Sequence, residues 1–393
     1  MTTKRRALKF ALGLIAAAAV PAVWAADTGP IKIGLILPMT GQQASTGRQI
    51  DAAVKLWMAQ NGNKVGGRTV EVILKDDGAV PDATKRIAQE LIVNDKVAVI
   101  AGFGITPTAL ATAPLATQSK TPLVVMAAAT SSITQASPYI VRTSFTLPQV
   151  TVAIADWAAQ NKIKKAVTLV ADYGPGFDAE KFFDSQFRLN GGQILDKLRT
   201  PLRAPDFAPV LQKVIDAKPD ALFVFLPSGQ GAAFMKQFAE RGLDKSGVKL
   251  IATGDVTDDD QLADMGDVAL GVVNSHHYSA AHPSAANKKF VAAFEAANKF
   301  RPNFMAVGGY DGMRVIYKAL EASKGAGGEA LLNAMKGQVF ESPRGPVLID
   351  AQTRDIVQDV YIRKVERVPA MGNGLYNVEF DVIKAVKDPG KAK

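Results

Sequence analysis

Short apolar runs with little polar alternation recur along this chain, each leading through a loop of small and hydroxyl residues into a helical pattern. Such runs suit strands buried on both faces of a parallel sheet. The first covers 31–37 and passes through Pro38-Met39-Thr40-Gly41 to a helix expected over about 47–61. A strand over 69–75 follows, carrying Val70, Val72 and Leu74, and Pro81 opens a helix, a position where its missing N–H is harmless. Strands at 97–101 and 123–126 flank a helical pattern at 108–119, which Pro114 should kink or shorten. A second series begins after 145–148, with strands at 166–171, 193–198, 221–226, 249–252 and 270–274. Helices fall between them at 206–217, with Asp206 as N-cap, and at 230–241, with Gly242 as the stop. Helices over 285–298 and 304–324 and strands over 345–349 and 356–365 complete the pattern. The alternation predicts an α/β protein of two doubly wound, Rossmann-like lobes. The last dozen residues, with Lys384, Lys387, Lys391 and Lys393, read as a frayed, solvated tail.

Ahead of the first strand, Lys4, Arg5 and Arg6 precede an apolar stretch at 8–20 that Pro21 ends. It is too short for a membrane span and fits a secretory signal, with cleavage expected after Ala25. Without residues 1–25, 368 residues remain and the formal net charge falls from +9 to +5. That length suits two cores. The mild basic excess forms no block of five like charges, so nucleic acid is not an expected partner. The chain has no cysteine, which excludes disulfides, thiol catalysis, thiolate metal sites and a lipidated cysteine after the signal. The expectation is a soluble periplasmic protein, not membrane-inserted after cleavage and monomeric.

In open α/β sheets ligands bind beyond the carboxyl ends of the strands, so the strand-to-helix loops are the places to look. After the first strand the loop runs to Gln42-Gln43-Ala44-Ser45-Thr46-Gly47; after the third it is Ala101-Gly102-Phe103-Gly104-Ile105-Thr106-Pro107-Thr108; after the fourth it is Ala127-Ala128-Ala129-Thr130-Ser131-Ser132. Hydroxyls, exposed backbone N–H groups and helix N-termini suit one carboxylate held by neutral donors. In the second half the corresponding loops carry Asp172-Tyr173-Gly174-Pro175-Gly176-Phe177, Leu226-Pro227-Ser228-Gly229-Gln230 and Thr253-Gly254-Asp255. Tyr173 and Phe177 offer an apolar wall, and Asp255 an acceptor for a ligand hydroxyl or amine. Asp258, Asp259 and Asp260 are expected to complement a helix N-terminus.

Other chemistry finds little support. His276, His277 and His282 have no accompanying ligand spacing, and adjacent strand residues point to opposite faces, so no metal is expected. Asp311 is read as a capping or pairing residue of its helix. There is no G-x-S-x-G elbow, no phosphate loop, and only a Gly102-Phe103-Gly104 fragment of a dinucleotide fingerprint. No cofactor is expected, and no nucleophile–base pair supports an enzyme.

Several stretches resemble the periplasmic type I solute-binding proteins of ABC transporters, in the branch that takes branched-chain amino acids and related carboxylates. They are Ile31-Lys32-Ile33-Gly34 through Met39-Thr40-Gly41, Lys75-Asp76-Asp77-Gly78, Ala127-Ala128-Ala129-Thr130, Asp172-Tyr173-Gly174-Pro175-Gly176, Lys218-Pro219-Asp220-Ala221 and Gly309-Tyr310-Asp311. Their order and spacing extend over nearly all of 31–380. The resemblance implies a hinge-closing receptor that delivers a small carboxylate to a membrane permease, with lobes 27–147 plus 281–348 and 148–280 plus 349–381 joined by three crossings. It implies a carboxylate-binding hydroxyl at Thr106 or Thr108, with Ala128 and Thr130 beside it. The aromatic of the first loop in amino-acid binders falls near Thr46, next to Ser45. The aromatic of the later loop falls near Tyr173 or is replaced by Pro175, and the ammonium partner at Gly254 or Asp255. With Phe103 and Ser228, these make up the expected site. The Asp-Tyr-Gly-Pro-Gly loop, Phe207 and the Phe223/Phe225 strand look more like relatives that take up aromatic or other organic acids. The alternative is a ligand sensor that feeds a signalling partner.

Overall fold

The structure is a computed structural model that describes residues 29–391; the expected signal at 1–25 and Lys393 lie outside them. The first sheet collects β1 (Ile31–Leu37), β2 (Lys64–Val65), β3 (Arg68–Asp76), β4 (Val99–Gly102), β5 (Leu123–Val125) and β6 (Ile140–Arg142). Its order is β2-β3-β1-β4-β5-β6. β1 pairs in parallel with β3 and β4 on either side, which explains its unbroken apolar character: Ile33, Leu35 and Leu37 are fully buried. α1 (Ala44–Asn61), α2 (Pro81–Val93) and α3 (Thr106–Ser119) connect these strands. α1 and α3 each begin two or three residues before the expected starts. Pro114 lies inside α3 without ending it; the backbone bond it removes would end on Leu110, whose side chain is on the exposed face.

α4 (Leu147–Gln160), with proline in its first turn and the Gln149 side chain accepting from the Thr146 N–H, carries the chain across. The second series contains β7 (Lys165–Ala171), α5 (Gly174–Leu189), β8 (Gln193–Thr200), α6 (Ala208–Ala217), β9 (Ala221–Phe225), α7 (Gly231–Glu240), β10 (Lys249–Thr253), the one-turn α8 (Leu262–Met265) and β11 (Val273–His276). α9 (Ala285–Asn298) and α10 (Phe304–Ala322) return to pack on α1, and α11 (Gly328–Met335) packs on α10. The final strands are β12 (Val339–Ser342), β13 (Gly345–Ile349), β14 (Ile356–Val368) and β15 (Gly374–Val386). The second sheet runs β12-β13-β14-β11-β10-β9-β7-β8, with β15 also on β14. The α/β fold with two mostly parallel sheets follows the expected class.

Several details differ. β12 and β13 hydrogen-bond into the second sheet through β14, whereas a lobe boundary at 348 would leave them with the first; the chain passes from α11 to that sheet at 336–338. Asp206 does not cap α6 directly: its carboxylate accepts from the Ala208 N–H, one residue inside the Phe207 cap position. Gly242 is the expected left-handed stop after α7. β11 starts at Val273 rather than 270, because Leu270 is exposed and Gly271 turns the chain with φ 80°. The strand then ends at His276, so its pleat does not continue through His277. Both imidazoles are buried, with ring centroids 4.4 Å apart, instead of facing opposite ways.

The acidic residues also differ from expectation. Asp311 pairs outside its helix, 2.7 Å from Arg344 and from the Ser342 hydroxyl. Asp259 accepts from Asn377 and Asp260 from Ser45 and Asn303, so these two bridge elements instead of serving a helix start. Residues 387–391 are not frayed. Asp388 is buried and the Lys391 ammonium contacts Asp355.

Candidate functional site

A narrow cavity of about 20 Å³ lies where loops from the two sheets meet. The β4–α3 loop forms one wall. Gly102, with φ 112°, is required there, since a Cβ would lie 2.2 Å from the Ile36 carbonyl. The turn presents Gly104, Ile105 and Thr106 to the cavity. The Thr106 and Thr130 hydroxyls share a 2.8 Å hydrogen bond. Behind them Arg142, fully buried, donates to the Thr130 carbonyl at 2.7 Å and to the Phe145 carbonyl at 3.0 Å, fixing the loop that carries Ala127, Ala128 and Ala129.

From the other sheet the start of α5 faces this wall. A Cβ on Gly174 would stand 2.9 Å from the Thr130 hydroxyl oxygen. Two helix N-termini, of α3 and α5, therefore converge on the threonine pair, and their unpaired N–H groups make this end of the cavity favourable to an anion.

The opposite character appears at Asp255, which lines the cavity together with Ser228. Asp255 is 4 % exposed; one carboxylate oxygen, like the Ser228 hydroxyl, has no hydrogen-bond partner. That oxygen lies 3.5 Å from Nε2 of His276. Burial lowers the His276 imidazole to about 4, Asp255 opposing, so the ring is neutral at physiological pH. Burial raises the Tyr173 hydroxyl well above its ordinary value, with Asp255 adding to the shift. Tyr173 relates to both ends of the cavity: the backbone of the next residue, Gly174, abuts Thr130, while Asp255 acts on its hydroxyl. Between them the walls are aromatic. Tyr173 stacks on Phe225 with centroids 6.1 Å apart, and Phe145, Leu147 and Met305 close the space.

Residues 30–372 match the periplasmic binding protein family. The chain belongs to that family. A Leu/Ile/Val-binding protein homolog of Brucella abortus is 43 % identical over 371 residues, covering 93 % of this chain and 95 % of that one. Among solved structures, a solute-binding protein of an ABC transporter from Rhodopseudomonas palustris BisB5, in complex with 3,4-dihydroxybenzoic acid, is 63 % identical with a TM-score of 0.91, covering 92 % of this chain and 99 % of that one. Another R. palustris ABC-transporter solute-binding protein, in complex with 4-hydroxybenzoate, is 42 % identical with a TM-score of 0.89 and the same coverage. This periplasmic binding protein is a solute-binding component of an ABC transporter, and its role is binding rather than catalysis. Among the described residues no group of His, Asp and Glu is arranged to hold a metal ion, and no helix is long and apolar enough to cross a membrane.

Of the residues expected at the site of this binding protein, Thr106, Ala128, Tyr173, Ser228 and Asp255 line the cavity. Thr130 stands directly behind Thr106. The Ala128 N–H is already bonded to the Phe103 carbonyl, so this residue contributes its surface and not a donor. Several expectations are corrected. Thr108 turns its hydroxyl back to the Ile105 carbonyl at 2.8 Å, a local bond within the first turn of α3. Phe103 sits in the core with no exposure, and at φ 66° it sets the loop's path without reaching the cavity. Thr46 is buried under Gly104, and Ser45 donates to Asp260 at 2.8 Å across the cleft. Phe207 and Phe223 belong to the cores; only Phe225 of that group reaches the cavity. Phe177, offered as a wall, is 43 % exposed beside Arg199. Sequence reading missed Phe145 and Met305, which tertiary packing alone brings in, and the α5 N-terminus, for which Gly174-Pro175-Gly176 was the available signal.

Proposed function

We propose that this protein binds a small aromatic carboxylate bearing a ring hydroxyl, with its acid group at Thr106 and the α3 and α5 N-termini and its hydroxyl toward Asp255 and Ser228. The supporting observation is the cavity's polarity. A ligand carboxylate is repelled by the Asp255 end and attracted to the helix N-termini, which fixes one orientation. In an α-amino acid the ammonium and carboxylate share one carbon. In a hydroxybenzoate the acid and hydroxyl stand across a ring, which suits a cavity whose anion-favouring and acidic ends are separated by aromatic walls. The 3,4-dihydroxybenzoate and 4-hydroxybenzoate bound to the two relatives support the same class.

The two sheets support two lobes with crossings near 143–146, 277–284 and 336–338. Closure around the ligand then presents the protein, as a monomer, to a membrane permease. Residues 1–25 direct the chain to the periplasm, and mass spectrometry of that fraction should find a mature chain beginning at Ala26.

A thermal-shift panel tests the ligand class. A ligand at 100 times its Kd adds about 2.7 kcal/mol to folded-state stability, so 4-hydroxybenzoate should raise Tm while 4-hydroxybenzamide and leucine leave it in place. A shift by leucine alone would overturn the assignment.

A further inference from the structure

The segment after β15 folds back onto the loop that carries Thr130, and a buried set of charges joins them. Asp388 accepts from the Ser131 hydroxyl at 2.6 Å and from the Gly390 N–H at 2.9 Å. The Lys391 ammonium reaches the Thr134 hydroxyl at 2.5 Å and the carboxylate of Asp355. Asp355 in turn pairs at 2.9 Å with Arg142, the residue that holds the Thr130 carbonyl. None of these four charged side chains is more than 6 % exposed. The fit is tight: a Cβ on Gly390 would lie 2.5 Å from the Ser131 hydroxyl.

Ser131 is also gripped from the facing helix. Its N–H donates at 2.8 Å to Asp178 on α5, the helix whose start abuts Thr130. The Ser131 side chain is thus held by the segment after β15 and its backbone by α5. Both grips join the first-sheet loop to elements of the second sheet, α5 and the segment after β15, and the latter also reaches the Arg142–Asp355 pair that supports the loop.

We propose that residues 388–391 are a positioning element of the binding site: they hold the 130–134 loop ready, so that Ser131 engages Asp178 and Thr130 stays paired with Thr106 when the cleft closes. Asp388 and Lys391 do not touch the ligand. Their loss leaves encounter unchanged and shortens the life of the closed complex.

The test uses the full chain and the variants Lys391→Met and Asp388→Asn, with the exposed Lys318→Met as control. In ligand-free protein, hydrogen exchange of the 130–135 amides should speed up by about tenfold in both variants while β4 keeps its protection. With 4-hydroxybenzoate as probe, the dissociation rate should rise by about tenfold with the association rate unchanged. Unchanged exchange at 130–135 overturns the proposal, as does a loss of protection spread evenly over the molecule. An unchanged dissociation rate also overturns it. Because exchange is read without ligand, failure of 4-hydroxybenzoate to bind would count against the ligand assignment alone; exchange would still decide the role of 388–391. A variant that fails to fold leaves the decision to the other.

Discussion

Thr106 and Thr130 share one hydrogen bond between their hydroxyls, and each hydroxyl has a single proton. One proton is therefore committed to the pair and the other is free for a ligand oxygen. A hydrogen bond to a charged group contributes about 1.5–3 kcal/mol. Thr106→Ala should weaken binding of the acid by about 10- to 150-fold with little change in Tm, as read by calorimetric titration alongside thermal unfolding. An unchanged affinity would remove Thr106 from the site. At this scale the sequence was legible where a small or hydroxyl residue follows a strand: Thr106, Ala128, Ser228 and Asp255 all reach the cavity. It misled at Thr108 and Phe103, which lie in the same loop. A hydroxyl can satisfy itself on a nearby carbonyl, and a left-handed backbone can turn an aromatic inward; neither choice is written in residue type. Phe145 was beyond reach because β6, the strand that makes its segment a strand-to-helix loop, was not read, and Met305 because it comes from the start of α10, which follows no strand directly.

The start of α5 is the element most sensitive to small changes. Gly174→Ala would put a methyl group 2.9 Å from the Thr130 hydroxyl oxygen, closer than ordinary side-chain contacts. Each sheet's own packing is untouched, so stability should hold while affinity falls by at least about tenfold, visible in ligand titration. Equal affinities would mean that the helix start does not close on Thr130. The βα rhythm made most strands and long helices readable, including the bounds of α9 and β13. β15 was not read because its sequence mixes Gly374, Asn377, Glu379 and Asp381 among apolar residues, and its outer half is largely exposed on both faces. The segment beyond it was misread for a related reason: lysines look solvated until a buried carboxylate such as Asp355 is brought to them by the fold.

Across the whole molecule, a buried ion pair ties the crossing segments together. Arg344, between β12 and β13, pairs with Asp311 of α10 and donates to the carbonyls of Thr143 and Ser144 at 2.9 and 3.0 Å. Asp311→Ala leaves the guanidinium buried without its counter-charge, and chemical denaturation should show a loss of about 3–5 kcal/mol. Acid should act through the buried histidines. Burial lowers His276 to about 4 and His277 well below its ordinary 6.5, so the unfolded chain binds more protons in that range. Their contribution is present above pH 6.5 and is lost as pH falls toward 4. Burial raises Asp258 and Asp311, which acts in the opposite sense in wild type and variant alike. Wild type should therefore lose more Tm between pH 7 and pH 5 than His277→Leu; parallel losses would contradict this. The central claim, a cleft polarised for an aromatic acid, is tested most directly by calorimetric titration of the purified protein with 3,4-dihydroxybenzoate and with leucine. The account predicts that the aromatic acid binds at least about 100-fold more tightly, a difference of roughly 2.7 kcal/mol. Leucine binding that Asp255→Asn abolishes, with no heat from the aromatic acid, would contradict it.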